Sequence, residues 1–319
     1  MKVTVIGCGR WGSLIAWYLD SLHHSVTLYG RKSSPHMQKF LLDRRNDLLS
    51  LPPSVQLSTD LSCGKDAEVL ILSINSQGLQ ALMDELSALH LQNKIFVLCM
   101  KGIEISTGRR LSQVAADNLH PSNSVAVWLG PGHVQEFYHG IPNCMVIDSE
   151  NEAVKHLLVD SFSSDLIRFY YGNDLLGNEV GAAAKNVIGI AAGFLDAVHL
   201  SSLKGALMSR GTREIARLIK AMGGNELSAY GLCHLGDYEA TVFSPYSHNR
   251  KFGELFLRKE PYHELAEGYY TVLALKRLGE EYQVDLPICT AVHQILYEGK
   301  DANTVLDQLF SRSRKEEFA

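Results

Sequence analysis

The chain has 319 residues, 46% hydrophobic and 20% charged, the balance of a globular protein with material for two cores. A formal charge of -5 gives no electrostatic reason for nucleic acid or an anionic membrane to be a partner. No apolar run reads as long enough to cross a bilayer, and the six cysteines are scattered without a C-x-x-C pair, so a cytoplasmic location is expected.

The first twelve residues organise the rest. Val3, Val5 and Ile6 form a short apolar run of the kind buried on both faces of a sheet. A strand at this point also argues against a secretory signal. Gly7, Gly9 and Gly12 follow at G-x-G-x-x-G spacing, with Arg10 and Trp11 between them, and a helical pattern begins at Trp11. Glycines at a strand-to-helix turn let the backbone approach a pyrophosphate and aim the helix N–H groups at it, so this segment predicts a dinucleotide site. A second strand, Ser25–Tyr29, ends in Gly30-Arg31-Lys32. No carboxylate stands there to accept from a ribose 2′-hydroxyl, whereas Arg31 and Lys32 suit a 2′-phosphate, with Arg31 the better ligand for its planar donor fork. NADP(H) is therefore expected as the preferred cofactor, with NAD(H) as the alternative; no metal site is expected.

Between Pro35 and Pro53 the pattern predicts a helix and then a loop, with Asp43, Arg44 and Arg45 as solvated surface. Strands are predicted over 68–73, 94–100, 125–129 and 144–147, and helical periodicity covers 79–89 and 109–119. This alternation predicts an α/β domain built on a doubly wound parallel sheet, with ligands beyond the carboxyl ends of the strands. Three loops lie at such ends: Ile74-Asn75-Ser76, Lys101-Gly102-Ile103-Glu104 and Gly130-Pro131-Gly132-His133. Lys101, a cation at the end of a buried strand, is expected to face a ligand. From Leu175 onward the pattern turns to long helices over 177–197, 203–222 and 264–282, with shorter ones over 288–297 and 302–310. The chain thus divides into a Rossmann-type domain, residues 1–176, and an all-helical domain, residues 177–319. The first long helix carries Gly181-Ala182-Ala183-Ala184-Lys185-Asn186. A poorly solvated lysine has a depressed pKa and can act as acid or base near neutrality, and the Asn186 amide can donate to a substrate oxygen.

Several segments, in the same order, resemble the NAD(P)-dependent sn-glycerol-3-phosphate dehydrogenases. They are Gly7-Cys8-Gly9-Arg10-Trp11-Gly12, Lys101-Gly102-Ile103-Glu104, Gly130-Pro131, Gly181 to Asn186, Leu235-Gly236-Asp237 with Thr241, Asn249-Arg250-Lys251-Phe252-Gly253, and Glu267-Gly268-Tyr269. The likeness spans nearly the whole chain. It implies a 6-phosphogluconate-dehydrogenase-like helical domain and reduction of dihydroxyacetone phosphate by NADPH, with Lys185 protonating the carbonyl oxygen. Asp237, Asn186 and Lys101 would complete the catalytic group. The same resemblance implies substrate contacts at Lys101, Gly130, Gly132, Lys185, Asp237, Thr241, Ser247, His248, Asn249 and Arg250. It implies cofactor contacts at Gly7, Gly9, Arg10, Trp11 and Gly12 of the glycine loop and at Ser76, Lys101, Val134 and Glu267. A homodimer, the precursor role in phospholipid synthesis and a small phosphorylated carbonyl substrate go with it.

The chain also departs from the family. The family reads S-R-N-R where this chain reads Ser247-His248-Asn249-Arg250, so His248 replaces an arginine that grips the substrate phosphate. The S-G-P-S loop becomes Leu129-Gly130-Pro131-Gly132, the V-P-S turn becomes Ile74-Asn75-Ser76, and Cys233-His234 replaces a glycine-rich lead into L-G-D. A histidine lacks the bidentate fork and is only partly charged at neutrality. Two catalytic readings follow, the family's own reaction and a reductase of the same fold acting on a different small phosphorylated or phosphonylated carbonyl. A non-catalytic NADP(H)-binding module is a third, opposed by the retained Lys185 and Asp237.

Overall fold

Short runs of aliphatic and β-branched residues form the strands of one eight-stranded sheet, and the computed structural model describes residues 1–314, 316 and 317. In chain order its elements are β1 (Lys2–Ile6), α1 (Arg10–Ser21), β2 (Ser25–Tyr29), α2 (Pro35–Asp43), β3 (Gln56–Ser58), β4 (Val69–Leu72), α3 (Leu79–Ser87) and β5 (Ile95–Leu98). They continue as α4 (Leu111–Asn118), β6 (Ser124–Leu129), α5 (Val134–Tyr138), β7 (Asn143–Ser149), α6 (Glu152–Phe162) and β8 (Ile167–Tyr171). The strand order is β3-β2-β1-β4-β5-β6-β7-β8. The order reverses between β1 and β4, and the crevice at their carboxyl ends is where such sheets hold ligands.

The sheet is not parallel throughout. β7 runs antiparallel to β6, with Leu129 opposite Val146, and β8 runs parallel to β7. The only helix in the β6–β7 connection, α5, has five residues, so no crossover carries the chain back to the far end of the sheet. β3 and β8 fall outside the predicted strands. The first has three residues, and the second is an edge strand with exposed Arg168, Tyr170 and Tyr171, so neither shows a continuous apolar run. Arg44 is not plain solvated surface: it takes a left-handed φ of 59° and its guanidinium donates to the carbonyls of Pro52 and Val55, closing that loop.

After Tyr171 the chain turns into α7 (Leu175–Ala197), α8 (Lys204–Ala221), α9 (His248–Arg258), α10 (Glu267–Glu281), α11 (Pro287–Tyr297) and α12 (Ala302–Phe310). The Asp174 side chain starts α7 by accepting from the Gly177 N–H, and Asp301 starts α12 by accepting from Thr304 N–H. Every residue of α7 from Gly177 to Leu195 is buried, because α8, α9, α10 and α11 surround it. Contrary to the sequence expectation, α7 is long and apolar enough to cross a membrane by length and composition, but 89% of its most apolar window is buried inside the fold. Glycines let α9 lie directly on α7: a Cβ on Gly193 would sit 2.0 Å from the Arg250 carbonyl oxygen, and one on Gly253 would sit 2.3 Å from that of Ile190. The sheet and the helices are tied by Glu179 of α7, whose carboxylate accepts from Arg110 Nη1 at 2.6 Å and from the Ser112 N–H at 2.9 Å. Both charged partners are buried, so breaking this pair would strand an uncompensated charge.

Candidate active site

The turn from β1 into α1 forms the first wall. Gly7 has φ +115°, and a Cβ there would lie 2.1 Å from the Ser73 carbonyl oxygen. A Cβ on Gly12 would lie 1.9 Å from the Gly7 oxygen, so helix and strand meet at a distance only glycine allows. At Gly9, the N-cap of α1, the Cβ position has nothing within 4 Å. That open space lies in front of the N–H groups of the first turn of α1, and an anionic pyrophosphate fits there. At the end of β2, Arg31 is exposed and its Nη2 donates to Glu85 Oε1 at 2.8 Å. Lys32 is exposed as well, its carbonyl accepting from Gln38 Nε2 at 2.5 Å.

Opposite this wall, α7 and the Leu235–Asp237 turn bring three charges together. Asp237 is 1% exposed, and its Oδ2 accepts from Lys101 Nζ at 2.6 Å and stands 3.0 Å from Lys185 Nζ. Lys101 Nζ also donates to the Gly130 carbonyl at 2.5 Å, and Lys185 Nζ to Thr241 Oγ1 at 2.8 Å. Thr241 sits on a π-helical turn, Glu239–Phe243, a distortion that aims its hydroxyl back at α7. Burial pulls the Lys185 ammonium down to about 8; the neighbouring charge of Lys101 adds to the shift and Asp237 opposes it.

A chain of amides braces the cluster. Asn186 Nδ2 donates to the Lys101 carbonyl at 3.1 Å, Asn249 Nδ2 to Asn186 Oδ1 at 3.0 Å, and the Gly268 N–H to Asn249 Oδ1 at 2.9 Å. Next to it, Glu267 accepts from the Ser76 N–H at 3.1 Å and from its hydroxyl at 2.6 Å. Burial raises the Glu267 pKa, and the two Ser76 hydrogen bonds work against that rise.

Lys101, Lys185, Asn186, Asp237, Asn249 and Glu267 line one cavity of about 290 Å³ together with Arg10, Trp11, Gly132, Val134, Ser247 and His248, while the predicted contacts Ser76, Gly130 and Thr241 hold these side chains without lining it. Arg250 does not line it. Its Nη1 donates to Asp196 Oδ2 at 2.8 Å and its Nε to the Ser244 carbonyl at 3.3 Å, on the far side of α9. His248, the first residue of α9, shares a 2.6 Å hydrogen bond with the Tyr262 hydroxyl through Nδ1. Burial, helped by the charge of Arg10, lowers its pKa below the ordinary histidine value and so favours the uncharged imidazole. His234 lies outside the cavity: Nδ1 faces the Gly181 carbonyl at 2.8 Å and must donate, which leaves Nε2 to accept from Tyr238 at 2.7 Å. The unusual Cys233-His234 segment is therefore a buried clasp that seats the Asp237 turn on α7.

The cavity residues that the sequence does not single out include Tyr246 and Leu265, and His133 is placed by it only within a loop at a strand end, with no role of its own. The His133 Nε2 is buried without a hydrogen-bond partner among the described residues, and burial with Lys185 nearby pushes its pKa down to about 4. Only its place behind Gly132, at the end of β6, hints at this. Tyr246 stacks edgewise on it with ring centroids 5.4 Å apart.

Two family models cover this arrangement. The model of the NAD-dependent glycerol-3-phosphate dehydrogenase N-terminus matches residues 2–155, and that of its C-terminus matches residues 174–307. The chain belongs to the NAD-dependent glycerol-3-phosphate dehydrogenase family. It is 32% identical to the glycerol-3-phosphate dehydrogenase (NAD(P)+) of Thermoanaerobacter sp. strain X514, covering 100% of this chain and 99% of that protein. With the Clostridium botulinum (strain Alaska E43 / Type E3) protein of the same name it shares 33% identity, covering 99% of each. Among solved structures, the glycerol-3-phosphate dehydrogenase of Coxiella burnetii superposes with a TM-score of 0.91 at 24% identity, over 98% of this chain and 99% of that one. A ketopantoate reductase from Ralstonia eutropha shares the fold more loosely, with a TM-score of 0.65 at 15% identity over 97% of this chain and 99% of that one. Membership of the family makes the chain an NAD(P)-dependent oxidoreductase acting on CH–OH groups.

Proposed function

We propose that the protein reduces dihydroxyacetone phosphate to sn-glycerol 3-phosphate, with NADPH as the preferred cofactor. The observation that carries this reading is Lys185 Nζ, held by Asp237 and Thr241 on the cavity side of α7, with a pKa of about 8. At neutral pH that ammonium is mostly protonated and poised to give its proton up, which suits reduction. The nicotinamide, when bound, supplies the hydride. Lys185 delivers its proton to the carbonyl oxygen as negative charge develops there, and regains one from solvent. Asp237 fixes the direction of Nζ, and Lys101 adds a second positive charge beside the reacting oxygen. Asn186 and Asn249 hold these groups in register. Residues 1–176 would then hold the cofactor, and residues 177–319 would supply the acid.

The preference for NADPH rests on Arg31. Its pair with Glu85 is exposed, at 63% and 45% of the two side chains, and such pairs are worth about 0–1 kcal/mol. A 2′-phosphate can therefore displace the carboxylate at little cost.

The direct test is oxidation of NADPH by the purified protein with dihydroxyacetone phosphate titrated over a wide range. Saturable turnover, lost by about 10²–10⁴-fold in Lys185→Met with cofactor binding retained, is the expected result. Absence of turnover would overturn the assignment. A second reading, a reductase for another small phosphorylated or phosphonylated carbonyl, is favoured by one observation: His248, biased toward its uncharged form and tied to Tyr262. Turnover with phosphonate analogues in preference to dihydroxyacetone phosphate would select it.

A further inference from the structure

A phosphate dianion entering this cavity needs a cation that is not already committed. Lys101 and Lys185 share the Asp237 carboxylate at 2.6 and 3.0 Å, and Arg250, behind the wall, is paired with Asp196 at 2.8 Å. The lowered pKa of His248 favours its uncharged form. Arg10 is different. It opens α1 and lines the cavity with His248, Lys101 and Lys185. Among the described residues it makes no ion pair, and its side chain has a single hydrogen bond, to the neutral Gln135 Oε1 at 3.5 Å, the outer limit for such a bond. Its charge is felt at His133 and His248, which line the cavity from separate segments, and at Tyr262, the partner of His248.

We propose that the Arg10 guanidinium grips the phosphate of the substrate from the α1 side, so that substrate anchoring shifts from α9 to the cofactor-binding loop. This inference rests on the phosphorylated substrate proposed above. The Arg10 backbone stays with the N-terminal turn of α1, while its planar donor fork is free to take two phosphate oxygens. The substrate would then be clamped between the two domains, with Lys185 at its carbonyl end and Arg10 at its phosphate end.

The test uses the full chain, with Arg10→Ser and Arg10→Lys. With NADPH saturating, Arg10→Ser should raise the KM for dihydroxyacetone phosphate by about tenfold to a hundredfold. Its loss on unphosphorylated dihydroxyacetone should be at least tenfold smaller, and Arg10→Lys should fall between. The Kd for NADPH should stay within about twofold, which also shows that the variant is folded. Equal losses on the phosphorylated and unphosphorylated carbonyls, or a weakening of NADPH that matches the loss, would overturn the inference. If the wild-type protein does not turn over dihydroxyacetone phosphate, the substrate assignment fails separately. Arg10 is then read from inorganic phosphate binding to the NADPH-loaded protein, where equal affinity in wild type and Arg10→Ser would overturn it and a tenfold loss would uphold it.

Discussion

One oxygen, Oδ2 of Asp237, serves both lysines of the site: Lys101 Nζ lies 2.6 Å from it and Lys185 Nζ 3.0 Å. Because the carboxylate is shared, neither ammonium is fully neutralised. At Lys185 the charge of Lys101 therefore weakens the hold on the proton while Asp237 strengthens it.

The pH profile follows from this arrangement. With Lys185 as the proposed acid, carbonyl reduction would need it protonated, so kcat/KM for reduction should be flat below the Lys185 pKa of about 8 and fall about tenfold per pH unit above it. Oxidation would need the free amine and should show the mirror-image rise. Asp237→Asn removes the charge that raises the Lys185 pKa and should move the limb to lower pH, whereas Lys101→Gln should move it higher. Initial rates between pH 6 and 10 would show both shifts; a limb unmoved in Asp237→Asn would exclude Lys185 as the titrating group.

Cofactor choice should follow Arg31. In Arg31→Ala the KM for NADPH is expected to rise about tenfold or more, with that for NADH nearly unchanged. Glu85→Gln frees the guanidinium and should lower the KM for NADPH by a few-fold at most, since an exposed pair contributes little. Parallel changes for both cofactors in Arg31→Ala would place the 2′-phosphate elsewhere.

The contact between α7 and α9 should tolerate no side chain at Gly253. A methyl group there would stand 2.3 Å from the Ile190 carbonyl oxygen, which is backbone and cannot swing aside. Gly253→Ala is expected to cost at least about 1–3 kcal/mol of stability and to raise the KM for substrate, because His248 and Asn249 ride on the same helix. Gly205 in α8, where nothing lies within 4 Å of the added Cβ, is the control. Gly205→Ala should stabilise by up to about 1 kcal/mol. Denaturant unfolding of the two variants separates these outcomes.

Glu214 contributes a loss of stability as pH rises through the slightly acid range, set against the opposite contribution of the buried His133 and His234, whose pKa values are pushed down to about 4. The Glu214 carboxylate accepts from the N–H groups of Ile288 and Cys289 at 2.8 and 3.0 Å and so caps α11, but burial raises its pKa to about 7. The unfolded chain releases this proton near pH 4.5 and the folded chain near pH 7, so between them the folded state holds more protons. Stability is therefore greatest below about pH 4.5 as far as this group is concerned, and declines until about pH 7. Glu214→Gln should remove that slope, at the expense of one capping bond. An unchanged slope in thermal melts from pH 5 to 8 would assign it to another group.

The β1–α1 turn and its glycines were legible in the sequence because the relevant physics is local. A buried strand, a turn that needs φ +115° at Gly7 and a helix start lie within twelve residues. Lys185 and Asn186 were legible for a similar reason, since a lysine among alanines and glycines on an apolar helix announces its own burial. The edge strands β3 and β8 were not, because an edge needs no continuous apolar run to be held. The direction of β7 also lay beyond periodicity, which reports burial but not which end of the sheet a strand enters from.

By itself, then, the sequence determined which residues are apolar, which turns require glycine, and that charged groups sit inside an apolar helix. Only the tertiary structure decided how the charges pair. Lys101 finds Asp237 across 136 positions of sequence, Arg250 is claimed by Asp196, and Arg10 makes no ion pair among the described residues. The physical reason is that an ion pair depends on distance and burial after packing. Arg250 stands in a segment that predicts ligand contact as strongly as Arg10 does, and what separates them is two carboxylates, Asp196 from α7 and Glu254 from α9 itself.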